Sequence, residues 1–185
     1  EGYTAAHVAV KEGHGELCSL LARRNAKLNA ELDFGMTTLQ LASEHGHSSV
    51  LLMLLDELRQ SGADLSAEIG TKQRALHGCS AWHLAAGNGH QECCSLLWEA
   101  MPTALNLRDG DGRNALMLAS RAGAVPVCSW LLQTAGSSDV SSSDDCRWTA
   151  LHHASAAGQK EVAKLLLDAE ADLTAVDIDG RTARD

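Results

Sequence analysis

The chain has 185 residues, 45 % hydrophobic but only 3 % aromatic, so it suits one sizeable domain or a short repeat array whose interior is filled by Leu and Ala. Its net charge is −9 and no basic stripe runs through it, which argues against a nucleic-acid partner. The six cysteines form no Cys-x-x-Cys pair and no zinc-type spacing, and no apolar run reaches the roughly 18 residues of a membrane span; a reducing, intracellular, cytoplasmic setting without membrane insertion is expected.

In chain order, one phrase recurs. A small or hydroxyl residue precedes a small residue, a bulky apolar one, often His, and then Leu-Ala or a close equivalent. It begins at Thr4, Thr37, Ser80, Asn114, Thr149 and, cut short, Thr182, with spacings of 33, 43, 34, 35 and 33 residues. A second phrase follows each of the first five: Gly13-His14, Gly46-His47, Gly89-His90, Gly123-Ala124 and Gly158-Gln159, each leading into an apolar run. A third phrase, Ala26-Lys27-Leu28-Asn29-Ala30, returns as Ala63-Asp64-Leu65-Ser66-Ala67 and Ala171-Asp172-Leu173-Thr174-Ala175. A fixed period of this length marks a repeat architecture.

Each unit reads as helix, tight turn, helix and extended hairpin. The hydroxyls at Thr4, Thr37, Ser80 and Thr149, and the amide of Asn114, suit helix starts, where they accept from a free backbone N–H. Gly13, Gly46, Gly89, Gly123 and Gly158 suit the left-handed turn that ends a first helix. No unit can bury its apolar face alone, so neighbours must stack. Leu20, Met53, Leu96, Trp130 and Leu165 form one predicted core row, and Leu21, Leu54, Leu97, Leu131 and Leu166 the next.

These phrases resemble the ankyrin repeat, whose signature is Thr-Pro-Leu-His-x-Ala, then Gly-His, Leu-Leu and Gly-Ala-Asp-x-Asn-Ala. The resemblance covers the whole chain. Ala or Thr replaces the signature Pro in every copy, and Gln40 and Met117 replace the signature His in two. It implies an all-α fold, an ankyrin-repeat solenoid of helix-turn-helix units joined by β-hairpin loops. The expected units are 1–33, 34–77 with a long insertion, 78–110, 111–145, 146–178 and the start of a sixth at 179–185. The wording of some copies is also similar to ankyrin proteins of protozoan type, some of which carry a cell-cycle kinase.

The implied function is that of a scaffold holding another protein against the hairpin tips and the concave face of the first helices. The alternative is a regulatory or substrate-recruiting region of a larger enzyme such as a protein kinase. A monomer that is a piece of a longer chain is expected, without catalytic, cofactor or metal residues of its own. By register the binding positions are Tyr3, Phe34, Met36, His77, Arg113 and Trp148 on the tips, and Glu44, His45 and Arg121 on the first helices. Interface hot spots favour aromatic and Arg side chains, so Tyr3, Phe34, Arg113 and Trp148 are expected to contribute most, unless each aromatic folds back over its neighbouring finger. His7, His83 and His152 occupy the signature position and His14, His47 and His90 the turn, which gives them structural roles. Cys18, Cys94 and Cys128 fall on one core position, and Cys79 and Cys146 on hairpin tips.

Overall fold

The computed structural model describes residues 3–24, 26, 28, 35–62, 64–65, 76–135 and 139–185. Among them the chain forms five helix pairs: α1 (Ala5–Lys11) with α2 (Gly15–Arg23), α3 (Thr38–His45) with α4 (Ser48–Gln60), and α5 (Ala81–Gly87) with α6 (Gln91–Ala100). The last two are α7 (Ala115–Ala122) with α8 (Val125–Ala135), and α9 (Ala150–Ala156) with α10 (Lys160–Asp168). The first helices pack successively against one another, as do the second helices. β pairing among the described residues is confined to isolated bridges such as Ser143–Thr149 and Val176–Thr182. This is the expected all-α solenoid.

The first helices are short, of seven or eight residues, and their starts are set locally. Thr4, Thr37, Ser80, Asn114 and Thr149 each accept from the backbone N–H three residues on. Four of these caps are reciprocal: His7, Gln40, His83 and His152 accept from the cap residue's own N–H, so two otherwise orphaned donors are satisfied at each start. The far side of the same ring or amide extends the cap into a tie between units. His83 Nε2 lies 3.2 Å from the Leu107 carbonyl, His152 Nε2 3.4 Å from that of Arg181, and Gln40 Nε2 donates to the Cys79 carbonyl at 2.8 Å.

A second tie runs the other way from the helix turns. His47 Nε2 reaches back to the Lys11 carbonyl at 2.8 Å, His90 Nε2 to that of Glu44 at 3.0 Å, and Gln159 Nε2 to that of Arg121 at 3.2 Å. The preceding glycine leaves room for the incoming ring: a Cβ on Gly46 would stand 2.5 Å from His90 Nδ1. Ala124 takes the equivalent place opposite Gly89, where an apolar contact stands in for the turn tie. Main-chain bonds join successive fingers: Gly110 N–H to His77 O, Asp145 N–H to Asp111 O, and Ile178 N–H to Cys146 O.

One continuous core runs along the stack. Leu54, Leu97, Leu131 and Leu166 are buried as expected, while Leu21 is half-buried. Truncating one of the buried four to Ala removes contacts that the stack closes over only partly, at about 2–5 kcal/mol. The other predicted row is less buried. Met53, Leu96, Trp130 and Leu165 are half-buried and Leu20 is 51 % exposed. That row leans on the preceding pair, as the Ser19 hydroxyl donating to Met53 Sδ at 3.2 Å shows; Leu20 sits on the first pair, and nothing among the described residues covers it. Trp82 is fully buried, with Trp130 5.9 Å from it and Trp98 edge-on to Trp130 at 6.1 Å. Helix α4 runs 13 residues against nine in α2, which accounts for part of the long second unit. The rest of the insertion is expected in the hairpin 68–78, of which residues 68–75 lie outside the described residues.

Candidate functional site

Two of the rows of side chains left accessible by the stack carry the positions expected to bind: the last turns of the first helices and the hairpin fingers. Lys11, Glu44, Gly87, Arg121 and Ala156 each stand seven residues after their cap residue and so occupy one position of the repeat. Lys11 Nζ lies 5.8 Å from the centroid of the Tyr3 ring, which in turn packs edge-on to His7 at 6.1 Å. Glu44 is half-buried, with Oε2 3.9 Å from Nδ1 of exposed His45. The His45 ring stacks at 6.1 Å on that of His47. Arg121 is exposed, and its guanidinium has no hydrogen bond or ion pair among the described residues.

The fingers are organised by three buried carboxylates. Asp109 Oδ1 accepts from the N–H groups of Asp111 and Arg113, Asp144 Oδ1 from those of Cys146 and Trp148, and Asp177 Oδ1 from those of Asp179 and Arg181. Such side chain-to-backbone bonds fix the turn. The second oxygens differ. Asp109 Oδ2 takes the Arg113 guanidinium at 2.8 Å, Asp144 Oδ2 takes His153 Nε2 at 2.9 Å, and Asp177 Oδ2 takes Arg181 Nε at 3.0 Å and the Trp148 indole N–H at 3.2 Å.

The electrostatics follow. Burial alone would raise the Asp109 carboxyl, but the bonds from Arg113 and Asp111 outweigh it and hold the group below the usual carboxylate range. The same balance, with the N–H groups of Arg181 and Asp179 and the Trp148 indole on the winning side, holds Asp177 down to about 2. Burial pushes the His153 imidazole below its ordinary value, against the pull of Asp144 and with Arg113 and Arg121 adding to the fall. Burial pushes the Cys79 thiol up to about 11, with Asp109 adding to it, and Cys94 up to about 12. Neither is a thiolate nucleophile at neutral pH. Among the described residues, no three His, Cys, Asp or Glu side chains converge as a metal would require.

The residues singled out from the sequence fall into three groups. His45, His77, Arg121 and Tyr3 are exposed. His77 has φ +54 and lends its carbonyl to Gly110. Met36 and Glu44 are half-buried, Met36 against the core. Arg113 and Trp148 are held within the fingers. The Arg113 side chain is 17 % exposed between Asp109 and Asp111. Trp148 is half-buried, stacked on His152 and edge-on to His153 at 5.3 Å. The second of the two expected placements, an aromatic folded over its neighbouring finger, therefore describes Trp148. Its cause is the bond to Asp177. Phe34 lies outside the described residues.

Sequence reasoning missed Asp109, Asp144, Asp177 and His153. The carboxylates were findable, because each stands five residues before a cap residue, at Asn114, Thr149 and Thr182. His153 had no such signal: Leu41, Leu84 and Leu118 take its place in other units.

Ankyrin repeats (3 copies) match residues 1–69 and 58–144, and ankyrin repeats (many copies) match residues 122–167. The chain is 33 % identical to the E3 ubiquitin-protein ligase XBAT33 of Arabidopsis thaliana over 97 % of its own length and 31 % of that protein. It is 31 % identical to the E3 ubiquitin-protein ligase XBAT32 of the same plant, over 97 % of this chain and 32 % of the relative. To protein fem-1 homolog A of Bos taurus it is 31 % identical over 58 % of this chain and 16 % of that protein. The chain thus spans about a third or less of the length of these relatives. No helix among the described residues is long and apolar enough to cross a membrane. Capped helix pairs, left-handed glycine turns and side-chain ties between units agree with these matches, and the chain belongs to the ankyrin-repeat family, whose general role is to bind other proteins.

Proposed function

We propose that this array holds one partner protein against the last turns of its first helices and the adjoining fingers. Tyr3, Glu44, His45, His77 and Arg121 meet the partner directly. Arg113 and Trp148 act as fixed walls. Met36 also takes part, and Phe34, outside the described residues, is expected to do so from its register in the sequence. The observation that carries this reading is the contrast along the stack. Gln40, His83 and His152 at the caps and His47, His90 and Gln159 at the turns are committed to joining units, whereas His45 and Arg121 stand exposed on the first helices and join nothing to a neighbouring unit through their side chains among the described residues. The array works in a cytoplasmic setting as a monomeric stretch of a longer protein. It supplies neither catalysis nor nucleic-acid contact.

A photo-crosslinking residue placed at His45 or at Arg121 tests this. It should trap a discrete partner in the native cell, and one placed at exposed Lys164 on α10 should not. Identical products from all three positions would refute the reading.

A second reading has its own support. Two of the relatives are named E3 ubiquitin-protein ligases, and this chain matches about a third of each. As the substrate-recruiting region of a larger enzyme, the array would serve a ubiquitin ligase in preference to a protein kinase. In that case the trapped partner accumulates when the proteasome is inhibited.

A further inference from the structure

We infer that Arg121 is the receptor for a single carboxylate on an extended partner segment, and that this segment carries a bulky side chain about three residues to either side of that carboxylate. The inference rests on the first-helix face being the contact surface, and it names what that surface selects. Among the first helices only Lys11 and Arg121 carry a permanent positive charge. Lys11 is already placed over the Tyr3 ring. The Arg121 guanidinium is exposed and unpaired among the described residues, and the finger carboxylates Asp109, Asp111 and Asp144 are taken by Arg113 and His153. A strong donor fork is thereby left for something outside the chain, and a carboxylate matches its geometry in two parallel bonds.

The neighbours of Arg121 supply the rest of the specificity. The same position is Gly87 in the unit before and Ala156 in the unit after. The floor is therefore low on both sides of the cation, and bulky partner side chains fit there. Packed helices stand roughly 9 Å apart, and an extended chain rises about 3.3 Å per residue, so one unit corresponds to about three partner residues.

The test is selection of displayed random peptides of about 12 residues on the whole chain, long enough to cross about four units. Peptides recovered on the native chain should share an Asp or Glu with bulky residues about three positions away. Replacing that Asp or Glu by Ala should weaken binding about tenfold or more. The R121E chain should lose these peptides and recover ones with Lys or Arg at the same place, with R121Q between the two. Arg121 contributes only its main-chain carbonyl to the tie with Gln159, so both variants should keep the native circular dichroism and melting midpoint. Peptides without the acidic residue, or ones that bind R121E within about twofold of the native chain, would overturn the inference. If such peptides still crosslink at His45, the contact face survives and only the role of Arg121 is lost. If no peptide binds at all, both fail.

Discussion

His90 Nε2 lies 3.0 Å from the main-chain carbonyl of Glu44, 46 positions earlier, and Gly46 is the residue that lets the ring through. Gly46 sits at φ +73, and a Cβ there would stand 2.5 Å from His90 Nδ1. Gly158 shares the left-handed backbone at φ +69 but has nothing within 4 Å of a Cβ. The two glycines separate backbone strain from lost contact. Gly158→Ala is expected to cost about 1 kcal/mol, the strain alone. Gly46→Ala should cost about 1 kcal/mol more, since the ring must leave its carbonyl. Urea denaturation of the two variants measures the difference, and equal midpoints would deny the His90 tie any part in stability.

Arg147 holds φ +61 at the finger position where Gly112 and Gly180 stand with φ +76 and +78. It is exposed, and only its backbone is used, donating to the Asp144 carbonyl. Arg147→Gly removes the left-handed penalty of a side chain and adds some chain entropy to the unfolded state. The balance is an expected gain on the order of 0.5 kcal/mol, read as a rise in thermal midpoint. A lower midpoint would mean that the Arg147 side chain makes a contact worth more than the strain.

Asp144 and Asp145 are adjacent, yet one closes a finger and the other faces solvent. Asp144 fixes two backbone N–H groups and the His153 ring, whereas Asp145 is exposed, donates its N–H to the preceding finger and rests its carboxylate beside Gly112 without fixing a turn. Asp144→Ala strands the buried His153 ring and the half-buried Trp148 N–H and should cost about 2–3 kcal/mol. Asp145→Ala should stay within about 0.5 kcal/mol of the native chain. A similar cost for both in chemical denaturation would reject the carboxylate as organiser of the finger.

Such pairs also show what was legible in the sequence. The repeat period, the cap residues and the glycine turns are local and periodic, so Thr37, Gln40 and Gly46 declare their roles from spacing alone. Relations across fingers are not local. Nothing in the string around Trp148 says that Asp177, 29 residues on, will take its indole N–H, or that Arg113 will be spent on Asp109. Exposure was therefore overestimated at those two tips. His153 was passed over because a leucine position of the repeat carries no expectation of a buried polar bond.

Stability should depend on pH in a window set by two imidazoles. Burial pushes His153 and His83 below the ordinary histidine value near 6.5. Between the folded and unfolded values the unfolded chain binds more protons, so stability rises with pH there and falls as pH drops from about 6.5 toward 5. Asp109 and Asp177 have depressed values, and their contribution is lost only in a lower window, below about pH 4. Gln40 already performs the reciprocal cap of His83 in another unit, so His83→Gln is a fitting replacement. The double variant H83Q/H153Q should show a shallower fall in melting midpoint between pH 7 and 5. An unchanged slope would place the proton uptake elsewhere.

Thiol chemistry should separate one cysteine from the rest. The chain has six. Cys146 is exposed; Cys18, Cys93, Cys94 and Cys128 are buried, and Cys79 is half-buried against Asp109. Burial raises Cys93 and Cys128 to about 11 and Cys94 to about 12, and Cys79 reaches about 11 through burial and the Asp109 charge. Reaction with a disulfide reagent requires both a thiolate and access, and those five positions lack one or both at neutral pH. A native chain titrated with such a reagent at pH 7.5 should therefore show one fast thiol that disappears in Cys146→Ser, and all six only after denaturation. Rapid modification of two or more thiols under native conditions would mean that the second-helix row opens on the timescale of the assay, against the close packing that the stacked units require.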